Sequence, residues 1–138
     1  MAVILNPDML LTKDRPGRSR VFLGRLPTPY QPQTPQYYAA LCILDWLQSV
    51  DPEVPGWVSQ IDNARQSLEL AWSEESGNHP ATEGYLRAEM ARTECLAGNL
   101  DDADRLLNLA RDNFSSAGFD KEVTQIDDIL ASLAPLPY

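Results

Sequence analysis

The sequence predicts an all-α protein: an antiparallel helix-hairpin bundle of about five helices, preceded by an extended N-terminal arm. Three observations carry this. After about residue 36, apolar side chains recur at spacings of three and four, the period of one helix face. Proline or glycine punctuates that pattern at Pro52, Pro55-Gly56, Gly77, Pro80, Gly98, Gly118 and Pro135, so the connections are short. No segment of this body alternates apolar and polar residues for long enough to make a strand. A chain of 138 residues is enough for one domain. Its expected parts are a basic, proline-rich arm over 1–35 and a helical domain over 36–138.

The arm has no helical period. Val3-Ile4-Leu5 and Val21-Phe22-Leu23 are short β-prone runs, ended by Asn6-Pro7 and Gly24. Pro27, Pro29, Pro32 and Pro35 remove backbone donors and favour polyproline II, which makes Leu26–Pro35 a semi-rigid strap. Two readings stay open: a solvating tail, or a segment that orders on a partner or a neighbouring subunit. The apolar runs favour the second, because a solvating tail seldom carries them. Either run could add to an exposed sheet edge of a partner. The opening residues are apolar but short and lack a basic start, so they read as neither a signal peptide nor a membrane span.

Thr34-Pro35 opens helix one, with threonine as N-cap and proline in the first turn. Tyr37, Leu41, Leu44 and Leu47 share one side; Tyr38, Cys42 and Trp46 share another. A helix apolar on two sides is either the core helix or one whose second face the arm or a partner covers. Asp51-Pro52 stops it. Helix two follows Pro55-Gly56, with Trp57, Ile61, Ala64, Leu68, Ala71 and Trp72 on one stripe and Gly77 as the residue after its C-cap. Pro80 opens helix three, whose large side chains are Tyr85, Leu86, Met90 and Leu96 and whose small ones are Ala88, Ala91 and Ala97. Gly98 ends it and Asn99 is the expected N-cap of helix four, with Asp101, Asp102 and Asp104 in the first turn, where the helix dipole favours acids. Helix four carries Leu100, Ala103, Leu106, Leu107, Ala110, Phe114 and Ala117 and ends at Gly118. Asp120 is expected to cap helix five, whose stripe is Val123, Ile126, Ile129, Leu130 and Leu133.

An internal echo runs at a spacing of 39 residues: Ile61, Ala64, Leu68 and Ala71 align with Leu100, Ala103, Leu107 and Ala110, and Trp57 with Leu96. Alanine lets two helices approach closely while leucine fills the groove between them. Ala91, Gly98, Leu100, Ala103, Leu107 and Ala110 resemble the tetratricopeptide (TPR) repeat, over about residues 81–118. Arg87 and Glu94 stand where that family carries aromatics, no proline closes the repeat after Ala110, and a spacing of 39 exceeds the usual period. The resemblance implies a protein-binding scaffold. It does not imply the carboxylate-clamp class, because Arg87 and Arg92 are the only basic residues of helix three and no asparagine accompanies them.

The net charge of −9 is unevenly spread. Residues 1–36 hold Lys13, Arg15, Arg18, Arg20 and Arg25 against Asp8 and Asp14, a charge of +3; the rest of the chain carries −12. An acidic body repels phosphates, so nucleic acid is not the expected ligand. The arm's arginines suit an acidic partner, or an acidic surface on this body or a sister subunit. The residues expected to bind a protein partner are Arg15, Arg18, Arg20, Phe22, Arg25, Tyr30, Tyr38 and Trp46. The last two sit on the aromatic first helix; tryptophan and tyrosine are enriched at interface anchors.

Signs of chemistry are few. His79, the one histidine, lies in the turn Ser-Gly-Asn-His-Pro and reads as a polar turn residue. One histidine and two distant cysteines cannot make a zinc site of ordinary spacing. No nucleophile elbow, P-loop or dinucleotide fingerprint is present, and the aspartate series at 101–104 lacks the pattern of a calcium loop. No catalytic residue, cofactor or metal is therefore expected. Cys42 and Cys95 lie inside apolar helical patterns and are expected to be buried free thiols of a cytoplasmic protein. The expected function is a non-enzymatic interaction module, an adaptor or assembly factor. The alternative is a structural subunit of a multi-subunit or viral assembly whose arm laces into its neighbours.

Overall fold

The computed structural model describes residues 30–133. Five α-helices follow in order: α1 Pro35–Ser49, α2 Trp57–Glu75, α3 Pro80–Ala97, α4 Leu100–Ala117 and α5 Asp120–Leu133. No strand occurs among the described residues. Residues 1–29 and the tail after Leu133, with its proline stop, lie outside them.

Short turns fold consecutive helices back on one another. Gly98 ends α3 at φ 86°, a left-handed conformation that glycine adopts without a Cβ penalty. The Gly98 amide donates to the Cys95 carbonyl at 3.1 Å and the Asn99 amide to the Glu94 carbonyl at 2.8 Å, a Schellman ending. Gly118 repeats this arrangement after α4, donating to Ser115 while Phe119 donates to Phe114.

Several expected caps differ. The Thr34 and Asn99 side chains make no capping bond. Glu75, at the end of α2, instead accepts the backbone amides of Gln33 and Thr34 on one oxygen, both at 2.9 Å, and holds the start of α1. Asn99 turns back to donate to Glu94 at 2.8 Å. Asp120 lies inside the first turn of α5 rather than before it. His79 is more than a turn residue: its Nδ1 accepts the Ala81 amide at 3.1 Å and caps α3.

The core forms two clusters that meet on α3. Tyr37, Ala40, Leu44 and Leu47 of α1 pack with Trp57, Ile61, Ala64, Leu68 and Ala71 of α2 and with Leu86 and Leu96 of α3. The Trp57 indole donates to the Leu47 carbonyl at 2.9 Å. On the other side of α3, Ala81, Tyr85, Ala88 and Ala91 pack with Leu107, Ala110 and Phe114 of α4 and with Ile126 and Ile129 of α5. The close approach rests on small residues: a Cβ added at Gly84 would lie 2.8 Å from the Phe114 ring.

The core helix is thus α3, not α1. Twelve of its 18 residues are buried, including polar ones, whereas α1 buries one stripe. In the echo, Ile61, Ala64, Leu68 and Ala71 of α2 and Ala103, Leu107 and Ala110 of α4 are all buried. Leu100 is exposed, and Leu96 belongs to α3 rather than to the start of α4.

Candidate protein-interaction face

Burial of Tyr37, Ala40, Leu44 and Leu47 leaves the opposite side of α1 to solvent among the described residues. That side carries Tyr38, Cys42 and Trp46, one helical turn apart in succession, so they form a single row about 12 Å long. Tyr38 is 43% exposed and Trp46 38%. Cys42, Ile43 and Trp46 of α1 and Gln60 of α2 line a shallow recess beside the row. The Tyr38 ring stands edge-on to Tyr37 at 5.3 Å, which ties the outward aromatic to the buried one. Cys42 is therefore exposed rather than buried; Cys95 is buried as expected, and both thiols are free. Burial pushes the Cys95 thiol up to about 12. Asp45 is the one charged residue of α1.

A polar cluster lies on the face of α3 nearest α1. The Arg92 guanidinium, fully buried, has its Nε 3.1 Å from Glu89 Oε1 and its Nη2 3.2 Å from Asp45 Oδ1. Glu89 is 2% exposed and Asp45 reaches the surface. Tyr37 is buried beside them; burial, reinforced by the Glu89 charge, raises its hydroxyl well above the usual tyrosine range. At the other end of α3, Arg65 of α2 grips Glu94 with both Nε and Nη2 at 2.9 Å and also meets Asp62 at 2.9 Å. Arg65 holds the Glu94 carboxyl below its ordinary value despite partial burial.

Tyr30, the first described residue, packs at the start of α3. Its ring stacks on His79, with centroids 3.7 Å apart and planes 8° from parallel. Its carbonyl accepts the Thr82 hydroxyl at 2.6 Å. Tyr38 and Trp46 thus share one face, while Tyr30 stands elsewhere, at the start of α3. Arg15, Arg18, Arg20, Phe22 and Arg25 lie outside the described residues. Sequence reasoning misses Asp45, Glu89 and Arg92 as a group, because Arg92 reads as a polar-face residue. The signal that points to them is the surplus of small residues on α3, which lets neighbours close in on several sides.

Among the described residues no group of three His, Cys, Asp or Glu side chains is placed to hold a metal ion. No helix of these residues is long and apolar enough to cross a membrane. No family model matches the chain, and neither a curated protein nor a solved structure matches it.

Proposed function

We propose that this protein is a non-enzymatic interaction module, an acidic, cytoplasmic adaptor or assembly factor built on a TPR-like scaffold. Its docking surface is the outward face of α1, and its partner is a protein that lays an apolar helix against Tyr38, Cys42 and Trp46. The observation that carries this reading is the continuity of that apolar row on a helix with a single charged residue. A stack of helices needs a polar outer face at each end to stay soluble. The α5 end has one, with Lys121, Thr124, Asp127 and Asp128 exposed; the α1 end does not. The chemistry of the partner follows: a charged face docked on this row would be desolvated without a counter-charge. The TPR resemblance supports a binding scaffold, and the two free thiols support a reducing compartment.

The test is binding of a purified, co-isolated partner to full-length variants. Trp46→Ser should weaken it about 30-fold, the effect of losing a hot-spot tryptophan. Val58→Ser, at a solvent-facing apolar position on α2, should leave it unchanged. Equal loss in both variants, or in neither, contradicts the reading.

A further inference from the structure

We infer that the occupant of the α1 row is a second copy of this chain, seated antiparallel with the two Cys42 residues on the two-fold axis. This inference rests on the row being a docking face and names what docks there. The exposed residues of α1 are Pro35, Tyr38, Ala39, Cys42, Trp46 and Ser49. All but Ala39 are placed symmetrically about Cys42: Pro35 precedes it by as much as Ser49 follows it, and Tyr38 by as much as Trp46. An antiparallel copy therefore lays each Tyr38 on the other copy's Trp46 and Cys42 on Cys42. The face is its own mate, as a two-fold interface requires.

Side-chain size suits this register. Ala39 and Cys42, at the middle, are small and let the two helices approach closely, while the rings stand to either side, where crossing helices leave more room. With about 9–10 Å between the axes, the two Cys42 Cα atoms come to about 4–5 Å, within reach of a disulfide. The recess lined by Cys42, Ile43, Trp46 and Gln60, about 320 Å³, takes the incoming Tyr38 ring beside Trp46.

Charge favours the same occupant. Each copy carries −9, so two copies repel wherever their acids meet. The exposed stripe of α1 has no charged residue. Asp45, on its flank, meets Arg92 at 3.2 Å. The antiparallel register sets Asp45 across from Ala39, about 9 Å along the axis from the other copy's Asp45. The α5 end exposes Lys121, Asp127 and Asp128, so further copies find no apolar face there and assembly closes at two. Tyr38, 43% exposed, and Trp46, 38% exposed, leave roughly 200 Å² of ring surface open on each copy. With the small residues around them, the pair buries on the order of 900 Å² in total, the size of a weak, reversible dimer.

The test is disulfide trapping and sedimentation of the full chain. Diamide takes two electrons and two protons from a pair of thiols that lie together. In the unaltered chain it should join Cys42 to Cys42 as one dimeric species, since Cys95 is buried. Ser49→Cys in a Cys42→Ser background should link at least about 10-fold more slowly, because the two positions lie about 21 Å apart in the antiparallel pair and side by side in a parallel one. In reducing buffer, sedimentation equilibrium should show a reversible dimer that tightens as salt screens the two acidic bodies. Trp46→Ser and Tyr38→Ser should each weaken it about 30-fold, because each ring meets the other. A chain that stays monomeric, a Ser49→Cys link as fast as the Cys42 link, or a dimer that either serine substitution leaves intact overturns the inference. Binding of a co-isolated partner that falls in Trp46→Ser while the chain stays monomeric overturns the inference alone. A dimer and partner binding that both survive Trp46→Ser overturn the docking-face reading with it.

Discussion

Arg92 shows what a residue-level pattern conceals. Its position between Ala91 and Thr93 suits a solvated face as well as a buried one, because a long aliphatic stem packs in either setting. Only the fold brings Asp45, 47 residues earlier, against it. Arg92 lies between two carboxylates, and replacing it takes an ion-pair partner from the buried Glu89. Arg92→Leu should therefore destabilise the fold by about 3–5 kcal/mol, read from urea unfolding. A change within the scatter of surface substitutions would mean that water reaches the cluster. Gly84→Ala tests the α3–α4 contact. The new methyl meets the buried Phe114 ring at 2.8 Å, which costs about 1–3 kcal/mol against a helix-propensity gain of about 1 kcal/mol. A net loss is expected in thermal unfolding; a net gain would show slack packing. Glu75→Gln addresses the start of α1. Removing the charge weakens an acceptor shared by two amides, so hydrogen exchange at Gln33 and Thr34 should speed up while α4 is unaffected. Glu75 is not legible as a cap because its partners lie 41 and 42 residues away, whereas capping rules read only neighbours.

At the scale of elements, α2, α4 and α5 follow their sequence periods closely, because each has one buried stripe and one wet face. Gly98 and Gly118 are legible as helix ends for a local reason, the left-handed conformation each adopts. α3 is less legible: a helix covered on several sides has no single stripe, and its buried threonines, Glu89 and Arg92 look like surface residues in one dimension. α1 reads as two-faced, and Tyr38 and Trp46 do share its second face; what that pattern leaves open is whether α1 or α3 lies at the centre. The Arg65–Glu94 pair, which joins α2 to α3, gives this level its own prediction. Arg65 lowers the Glu94 pKa in the folded state, so its stabilisation is complete above the ordinary carboxylate value of about 4.5 and fades as pH falls below it. The urea midpoint should drop between pH 6 and pH 3, and Arg65→Gln should flatten part of that drop. An unchanged acid profile in Arg65→Gln would mean that the pair contributes little.

For the whole molecule, the sequence divides charge close to where the described residues begin. The described residues carry six basic and eighteen acidic side chains, while the segment before Tyr30 is basic. The all-α architecture is legible because helix period, punctuation and charge agree from one segment to the next. The surface on α1 is legible as a stripe, but its exposure depends on how α2 and α3 take up the other side. The arginines of the arm lie outside the described residues, so the face that can be drawn is the one made by Tyr38, Cys42 and Trp46. Site-specific photocrosslinking tests it most directly, with a benzophenone side chain placed at position 46, or at exposed Gln66 on α2, in cells that express the full chain. A discrete adduct to one protein from position 46, with none from position 66, is the predicted result; no adduct from position 46, or the same adducts from both positions, would contradict it.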